Sequence, residues 1–244
     1  MNDNNKILLT IIVSIFVGLL LSTAIISGTL KYLKQAEDVI IVKGTAEKQV
    51  ISDTGVWGCT LSNRAKEIKT AFAGLEQDKK IFLGFVQKQG FTPEQTAQSA
   101  VRLDKNYKLN SDGVETNELL DYTAYIRFEI KSSDVKLISQ LAKNASALLG
   151  QGLDLASYGP NYYINNVEQL KLDLLGEATR NGRLRAEQFA KNSNKHVGAL
   201  KYASQGIFQI TAPNSTELSG YGVYDTSTIR KNIMLVVSLN FAIH

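Results

Sequence analysis

The sequence is poor in the residues that build most metal and redox sites. It contains one cysteine, Cys59, and two histidines, His196 and His244. One cysteine excludes an intramolecular disulfide and a thiolate-rich zinc or iron–sulfur site, and two histidines are too few for a histidine-clustered metal site. No Ser/His/Asp set can be assembled from the sequence. We therefore predict that the protein is not an enzyme and that it has no catalytic residue, no metal and no cofactor.

Proline and charge are also scarce. Three prolines, a hydrophobic fraction of 44% and a charged fraction of 20% exclude a disordered or collagen-like chain. The 27 basic and 23 acidic residues leave a net charge of +4. The clearest basic group, Arg180, Arg183 and Arg185, shares its helix with Glu177 and Glu187. A nucleic-acid surface needs a basic stripe, so we predict no nucleic-acid partner.

Charge is absent altogether from residues 7–30, which lie between Lys6 and Lys31. A helix of these 24 residues would span about 36 Å, more than the roughly 30 Å hydrocarbon core of a bilayer. The sequence therefore predicts a helix that crosses the lipid bilayer. The predicted boundaries are a cytoplasmic N-terminus at 1–6, a transmembrane anchor at 7–33, a linker at 34–38 and an extracytoplasmic domain at 39–244.

The competing interpretation of the N-terminal segment is a cleaved signal peptide, with Ser22, Thr23 and Ala24 as the cleavage site. The apolar part of a signal peptide usually runs for only ~7–15 residues. Here the apolar run continues through Ile25 and Ile26, so we favour an uncleaved anchor. Charge alone does not set its orientation, because basic residues flank both ends.

Small residues recur within the predicted anchor. Ser14, Gly18 and Ser22 are each four positions apart and therefore share one face of a helix. Such a face lets two helices pack closely in lipid, although serine and glycine also occur in anchors that face only lipid. These three residues are candidates for self-association.

Hydrophobic periodicity after the linker predicts an α+β fold with a largely antiparallel sheet and long helices packed on it. Residues 120–131 alternate strictly between apolar and polar, which is typical of a sheet covered on one side. Helical spacing marks three segments, with Gly90 and Asn194 as left-handed terminators and Ser133 as an N-cap. The predicted order is β-β-α-β-β-α-β-α-β-β, with strands at 39–50, 55–62, 96–109, 120–131, 153–165, 200–211 and 229–243 and helices at 65–89, 134–149 and 167–192.

The helix predicted at 167–192 carries a narrow stripe of mostly small residues centred on Gly182. A stripe of this kind permits close approach to a sheet or to another helix, and we expect it to face its own sheet. Arg183 and Arg185 lie on other faces and are candidates for contacts between copies. Gly44 is expected to form a bulge in the first strand, and Asp53 is expected to cap its own turn.

Three short motifs resemble those of the SIMPL-domain proteins of bacterial envelopes. They are Val42–Glu47, Val50–Asp53, in which Ser52 replaces a proline, and Asn194–Gly198, in which asparagine replaces a glycine. The resemblance covers nearly all of residues 39–244. It implies a periplasmic or other extracytoplasmic domain, a cytoplasmic N-terminus, self-association and a link to envelope or oxidative stress, but no catalytic residues. The small residues Ala178, Gly182, Ala186 and Ala190 resemble the family's alanine-rich helix. The resemblance marks Gly44, Asp53, Gly182 and Gly198 as structural positions.

Two functional hypotheses follow from the sequence, whereas a third, a hydrolase, has only Asp53 and scattered carboxylates to support it. The first is a non-enzymatic protein, anchored in the cytoplasmic membrane, whose domain self-assembles into a homo-oligomeric scaffold. The alternative is a ligand-binding or thiol-based redox-sensing module that uses Cys59 or the tyrosines Tyr158, Tyr162 and Tyr163. A thiol sensor needs an exposed cysteine with a lowered pKa, whereas Cys59 lies two residues from Trp57 on a strand that we expect to be buried.

Overall fold

The structure, a computed structural model, describes residues 14–23, 25–27, 38–215 and 220–244. Residues 14–23 and 25–27 are helical and exposed. Within the described part of the chain no helix is both long enough and apolar enough to span a membrane. The predicted segment 1–6, much of the predicted anchor and most of the predicted linker lie outside the described residues.

The described chain from Val39 onward contains nine strands, four α-helices and one 3₁₀ turn at Pro93–Gln95. The helices are α1 (Ile68–Lys88), α2 (Val135–Asn144), α3 (Ser146–Leu149) and α4 (Val167–Asn192). The strands are β1 (Val39–Ile51), β2 (Thr54–Ala65), β3 (Thr96–Gln98), β4 (Arg102–Leu109), β5 (Glu115–Ser132), β6 (Asp154–Ser157), β7 (Asn161–Tyr163), β8 (Val197–Thr211) and β9 (Arg230–Ile243).

The predicted class, a mixture of helices with antiparallel sheet, is confirmed, but two predicted strands are each divided. Segment 96–109 breaks where Ser99 Oγ accepts the backbone N–H of Arg127 at 3.1 Å, which takes the place of a backbone acceptor. Segment 153–165 breaks at Gly159-Pro160, because proline has no N–H to donate to a neighbouring strand.

The predicted helix 134–149 is divided as well. Its first part begins after Asp134, whose carboxylate accepts the backbone N–H groups of Lys136 and Leu137 at 3.0 Å each. The prediction of Ser133 as the N-cap was therefore wrong by one residue. The predicted terminators are confirmed, since Gly90 has φ 94° and Asn194 has φ 53°.

The chain forms two compact units, of which the larger comprises residues 48–170 and 209–233. Its sheet has the strand order β3-β5-β2-β6, with β4 also paired to β5 and β7 to β2. β2 and β5 are antiparallel to each other, β2 is antiparallel to β6 and β7, and β5 is antiparallel to β3 and β4. One face of this sheet packs against α1 and forms the core. There the centre of the Phe82 ring lies 4.5 Å from the centre of the Phe128 ring and 6.3 Å from that of Trp57.

The smaller unit takes residues 171–208 and 234–244 and the described residues before Lys48. It contains most of α4 and parts of β1, β9 and β8, which lie side by side in that order. The Ile243 N–H donates to Asp38 O at 3.1 Å, and His196 and His244 exchange two backbone hydrogen bonds of 2.7 and 3.1 Å. The last strand is thus held on both edges.

Candidate functional site

The small-residue stripe of α4 is buried against the sheet of the smaller unit. A Cβ atom at Gly182 would lie 2.5 Å from Leu239 Cδ1 and 3.3 Å from Gly44 Cα. A Cβ atom at Gly44 would overlap the carbonyl oxygen of Ala178. Helix and strand backbones therefore touch here. The glycine of β1 makes room for the helix here, and the expected bulge at Gly44 stays a prediction.

Beside the stripe, the flank of α4 and the start of β1 form an exposed apolar groove of about 470 Å³. Its apolar rim consists of Ile41, Leu184 and Phe189, which are 68%, 61% and 59% exposed. We call it the Ile41–Phe189 groove. Neighbouring large apolar side chains that remain in water are typical of an interaction surface. Sequence analysis missed this groove, because Ile41 is far from the helix in the chain.

The two arginines predicted for self-association have different surroundings. Arg183 Nε lies 3.0 Å from Glu187 Oε1, an exposed ion pair within one helix. Arg185 instead lines the Ile41–Phe189 groove and donates from Nη2 to Thr45 Oγ1 at 3.4 Å. The structure therefore brings only Arg185 to the groove.

The other predicted self-association residues lie in the described N-terminal helix. Ser22 Oγ donates to the carbonyl oxygen of Gly18 at 2.8 Å. Beyond the adjacent backbone of its own helix, no described atom lies within 4 Å of a Cβ built at Gly18. Ser14, Gly18 and Ser22 are all exposed. Their contact with a second copy stays a prediction.

Asp53 accepts hydrogen bonds from a segment that is distant in the sequence. Its two carboxylate oxygens accept the backbone N–H of Asn165 at 3.0 and 3.2 Å, and Asn165 Nδ2 donates to Thr54 Oγ1 at 2.7 Å. The carboxylate thus ties the β1–β2 turn to the chain that follows β7. Asp53 also has a partner in its own turn, since Thr54 Oγ1 donates to Asp53 Oδ1 at 3.3 Å. The expected cap on that turn stays a prediction.

Gly198 is a position of close strand contact. A Cβ atom there would lie 3.2 Å from the imidazole of His244 and 3.3 Å from Ala242 Cβ. The two histidine rings are 6.4 Å apart. Among the described residues no three His, Cys, Asp or Glu side chains are grouped so that they could hold a metal ion.

Cys59 lies in the core of the larger unit and is fully buried. Desolvation by burial raises the pKa of its thiol to about 12. A thiol that is neutral and shielded from water lacks both features of a redox sensor, an accessible sulfur and a stable thiolate. The structure therefore argues against the thiol-sensor alternative. Of the three tyrosines, Tyr162 is buried, and Tyr158 is the most exposed at 55%.

A comparison with protein-family models now defines the relationship. The family described as SIMPL, protein of unknown function (DUF541), matches residues 40–227, well over half of the chain. The chain belongs to the SIMPL family. This confirms the resemblance drawn from the three motifs. The match stops just before β9, the strand that lies between β1 and β8.

Solved structures resemble the SIMPL chain only weakly. An amidase of the hydantoinase/carbamoylase family from Burkholderia phymatum is 12% identical with a TM-score of 0.30, and the match covers 52% of this chain and 34% of the amidase. This chain thus spans about a third of that protein. An uncharacterized conserved protein from Listeria innocua is 10% identical with a TM-score of 0.20, over 78% and 91% of the two chains. The chain has no match among curated proteins.

The SIMPL chain also contains a buried ion pair that sequence analysis missed. Lys231 is fully buried on β9, and its Nζ lies 3.3 Å from Asp225 Oδ2. The Asp225 carboxylate also accepts from the backbone N–H of Ser227 at 2.9 Å and from the hydroxyl groups of Ser227 and Thr228. The pair fixes the loop that precedes β9.

Proposed function

We propose that this SIMPL protein is a non-enzymatic protein of the cell envelope that is anchored by residues 7–33 and self-associates through the Ile41–Phe189 groove. Its N-terminus lies in the cytoplasm and its domain in the periplasm or extracytoplasmic space. The observation that carries the proposal is the exposed apolar rim of this groove. The uncharged run at residues 7–30 supports the anchor.

The energetics of the groove favour association in a membrane plane. Full burial of a Leu, Ile or Phe side chain contributes about 1.5–3 kcal/mol. The three rim side chains are 59–68% exposed, so a symmetric contact that buries six of them contributes about 6–11 kcal/mol. Association itself costs about 4–15 kcal/mol. Because gain and cost are similar, the contact is weak in solution, and confinement by the anchor strengthens it by raising the effective concentration.

A charge placed on the rim tests the contact. Leu184→Glu should convert the oligomer to monomer without a change in far-UV circular dichroism, because an exposed position tolerates glutamate but an apolar contact does not. The measurement is the mass of the full-length protein after chemical crosslinking in lipid vesicles, where the anchor confines the copies to the membrane plane. The matched control is Leu172→Glu, a leucine on the same helix that is equally exposed, at 62%, but does not line the groove.

A second pair of variants compares the contributions of Arg183 and Arg185 to self-association. Arg185→Glu should weaken association because Arg185 lines the groove, and Arg183→Glu should weaken it less. The proposal is contradicted if the unaltered protein is monomeric, or if Leu184→Glu and Leu172→Glu have the same mass.

The family resemblance extends the proposal to envelope or oxidative stress. A strain that lacks the protein should lose viability faster than its parent in hydrogen peroxide or under detergent stress, and expression of the chain should restore survival. Equal survival of the two strains would remove this part of the proposal.

A further inference from the structure

The six-stranded sheet of the larger unit has a polar face opposite its core. On β5 the side chains of Ile126 and Phe128 are buried, whereas Arg127 is exposed between them. On β2 the same alternation buries Cys59 and Leu61 and directs Thr60 to the other face. Because successive side chains of a strand point to opposite faces, the outward residues of neighbouring strands share one surface.

A pocket of about 370 Å³ lies on this polar face. In the strand register Arg127 is opposite Thr60, and Arg102 is opposite Tyr125. The two arginines are therefore diagonal neighbours, a separation of about 7–8 Å between backbones that long side chains easily bridge. We call this the Arg102–Arg127 pocket, and its lining residues are Thr60, Ser99, Arg102, Tyr125, Arg127 and Tyr158.

Backbone hydrogen bonds hold the walls of the pocket in place. Ser99 N–H donates to Arg127 O at 2.9 Å, and Tyr158 N–H donates to Gly58 O at 3.2 Å. Gly58 adds no side chain to the surface between these walls, and the nearest atom to a Cβ built there is Phe128 O at 3.9 Å. Four of the six lining residues thus lie on paired strands, and these hydrogen bonds fix the other two, Ser99 and Tyr158, just after β3 and β6 end.

The pocket brings together two arginines that have no ion-pair partner in the described part of the chain. Within the described ranges neither Arg102 nor Arg127 forms an ion pair, whereas Arg64 on the same face lies 2.7 Å from Asp121. The guanidinium carbon of Arg102 lies 5.5 Å from the centre of the Tyr125 ring, a cation–π distance that leaves its N–H groups available. Two neighbouring guanidinium groups repel each other and attract oxyanions, which they bind with paired hydrogen bonds.

We propose that the Arg102–Arg127 pocket binds a small organic anion that presents a carboxylate or phosphate group to the two arginines. The hydroxyl groups of Thr60 and Tyr125 supply further donors, whereas the Ser99 hydroxyl already donates to Ala100 O at 2.9 Å. The exposed ring of Tyr158 offers an apolar wall to the organic part. The volume, about 370 Å³, lies at the lower end of the range for small-molecule pockets, about 300–1,000 Å³. The binding site is separate from the groove proposed for self-association.

Calorimetric titration of the full-length protein in an uncharged detergent at 0.15 M NaCl tests the site. The probes are phenyl phosphate, benzoate and inorganic phosphate, which separate an organic phosphate, an organic carboxylate and a free anion. We expect one of the two organic probes to bind more tightly than inorganic phosphate. Arg102→Gln and Arg127→Gln should each raise its dissociation constant at least tenfold.

Arg64→Gln is the matched control, because it removes an arginine of the same sheet face that already has a carboxylate partner. It should change the dissociation constant less than twofold. The proposal is overturned if none of the three probes binds at 10 mM, or if Arg64→Gln weakens binding as much as Arg127→Gln. Binding of single-stranded DNA without binding of any small probe would also overturn it, in favour of a nucleic-acid surface.

Discussion

Lys231 is a fully buried charged side chain, and the carboxylate of Asp225 is its partner. Burial alone would raise the pKa of Asp225, but hydrogen bonds from Thr228 and Ser227 and the charge of Lys231 outweigh it and hold that pKa well below its usual range. Desolvation lowers the pKa of Lys231, and the charge of Asp225 partly offsets this. The carboxylate therefore stabilises the folded state, because its charge offsets part of the desolvation cost of the buried Lys231 ammonium group.

Replacement of this carboxylate gives a prediction at the residue scale. Asp225→Asn should lower the free energy of unfolding by about 3 kcal/mol at pH 7, because it leaves a buried charge without its partner. Urea unfolding measures the effect. Because the folded-state pKa of Asp225 is lowered, its contribution is present above its ordinary pKa of about 4 and declines as the pH falls below that value. The difference between the two proteins should therefore shrink from pH 5 to pH 3.

The double variant Asp225→Asn/Lys231→Met serves as the control for this pair. It removes both charges, so it should recover part of the stability that the single variant loses. An unfolding free energy for Asp225→Asn equal to that of the unaltered protein at pH 7 would show that the pair contributes nothing.

At the scale of elements, helix α4 and strand β1 pack backbone to backbone where Gly182 and Gly44 meet. The approach at Gly44 and Gly182 leaves no space for a side chain on either backbone. Such contact is available only to residues without a Cβ atom, which is why two glycines meet at this crossing. The exposed flank of the same helix, with Leu184 and Phe189, remains free for the proposed contact between copies.

Filling this contact gives the element-scale prediction. Gly182→Leu should lower the free energy of unfolding by about 3 kcal/mol, at the upper end for overpacking, because its Cβ already meets the backbone of Gly44. Thermal unfolding followed by circular dichroism measures the change. The matched control is Gly176→Leu on the same helix, where no atom lies within 4 Å of the Cβ position. Gly176→Leu should be neutral or stabilising by about 0.5–1 kcal/mol.

Full stability of Gly182→Leu together with loss of the oligomer would contradict this prediction. That outcome would mean that the stripe, rather than the exposed flank, forms the contact between copies.

At the scale of the whole molecule, the proposed anchor determines the location of the domain relative to the membrane. In the proposed anchored form, the uncharged residues 7–30 would hold every copy of the domain at the membrane. That confinement would strengthen weak contacts between copies and would leave the Arg102–Arg127 pocket in the aqueous phase.

The corresponding prediction concerns topology. The purified protein should retain its N-terminal residues, and protease added outside the cytoplasmic membrane should digest residues 39–244 in spheroplasts. Amino-terminal sequencing and immunoblotting of a tag at each end provide the measurements. An N-terminus at Ile25 would show that the segment is a cleaved signal peptide. Protection of the domain in intact spheroplasts, with digestion only after lysis, would place it in the cytoplasm.

The sequence by itself determined those features that arise from neighbours in the chain. The alternation of β5, the helical spacing of α1 and α4, the left-handed residues Gly90 and Asn194 and the family motifs all depend on short-range periodicity or local backbone sterics. The burial of Cys59 was also predicted, because an apolar side chain beside Trp57 on an alternating strand points to the core.

Only the tertiary structure decided which distant residues meet. The partner of Asp53 is Asn165, the glycine of β1 receives the glycine of α4, and Arg102 and Arg127 become neighbours through strand register. Likewise, only the fold separates Arg185, at the apolar groove, from Arg183, which pairs with Glu187. Periodicity specifies which face of a helix or strand is buried. It does not specify which other helix or strand packs against that face, because this depends on pairing between segments that are far apart in the chain.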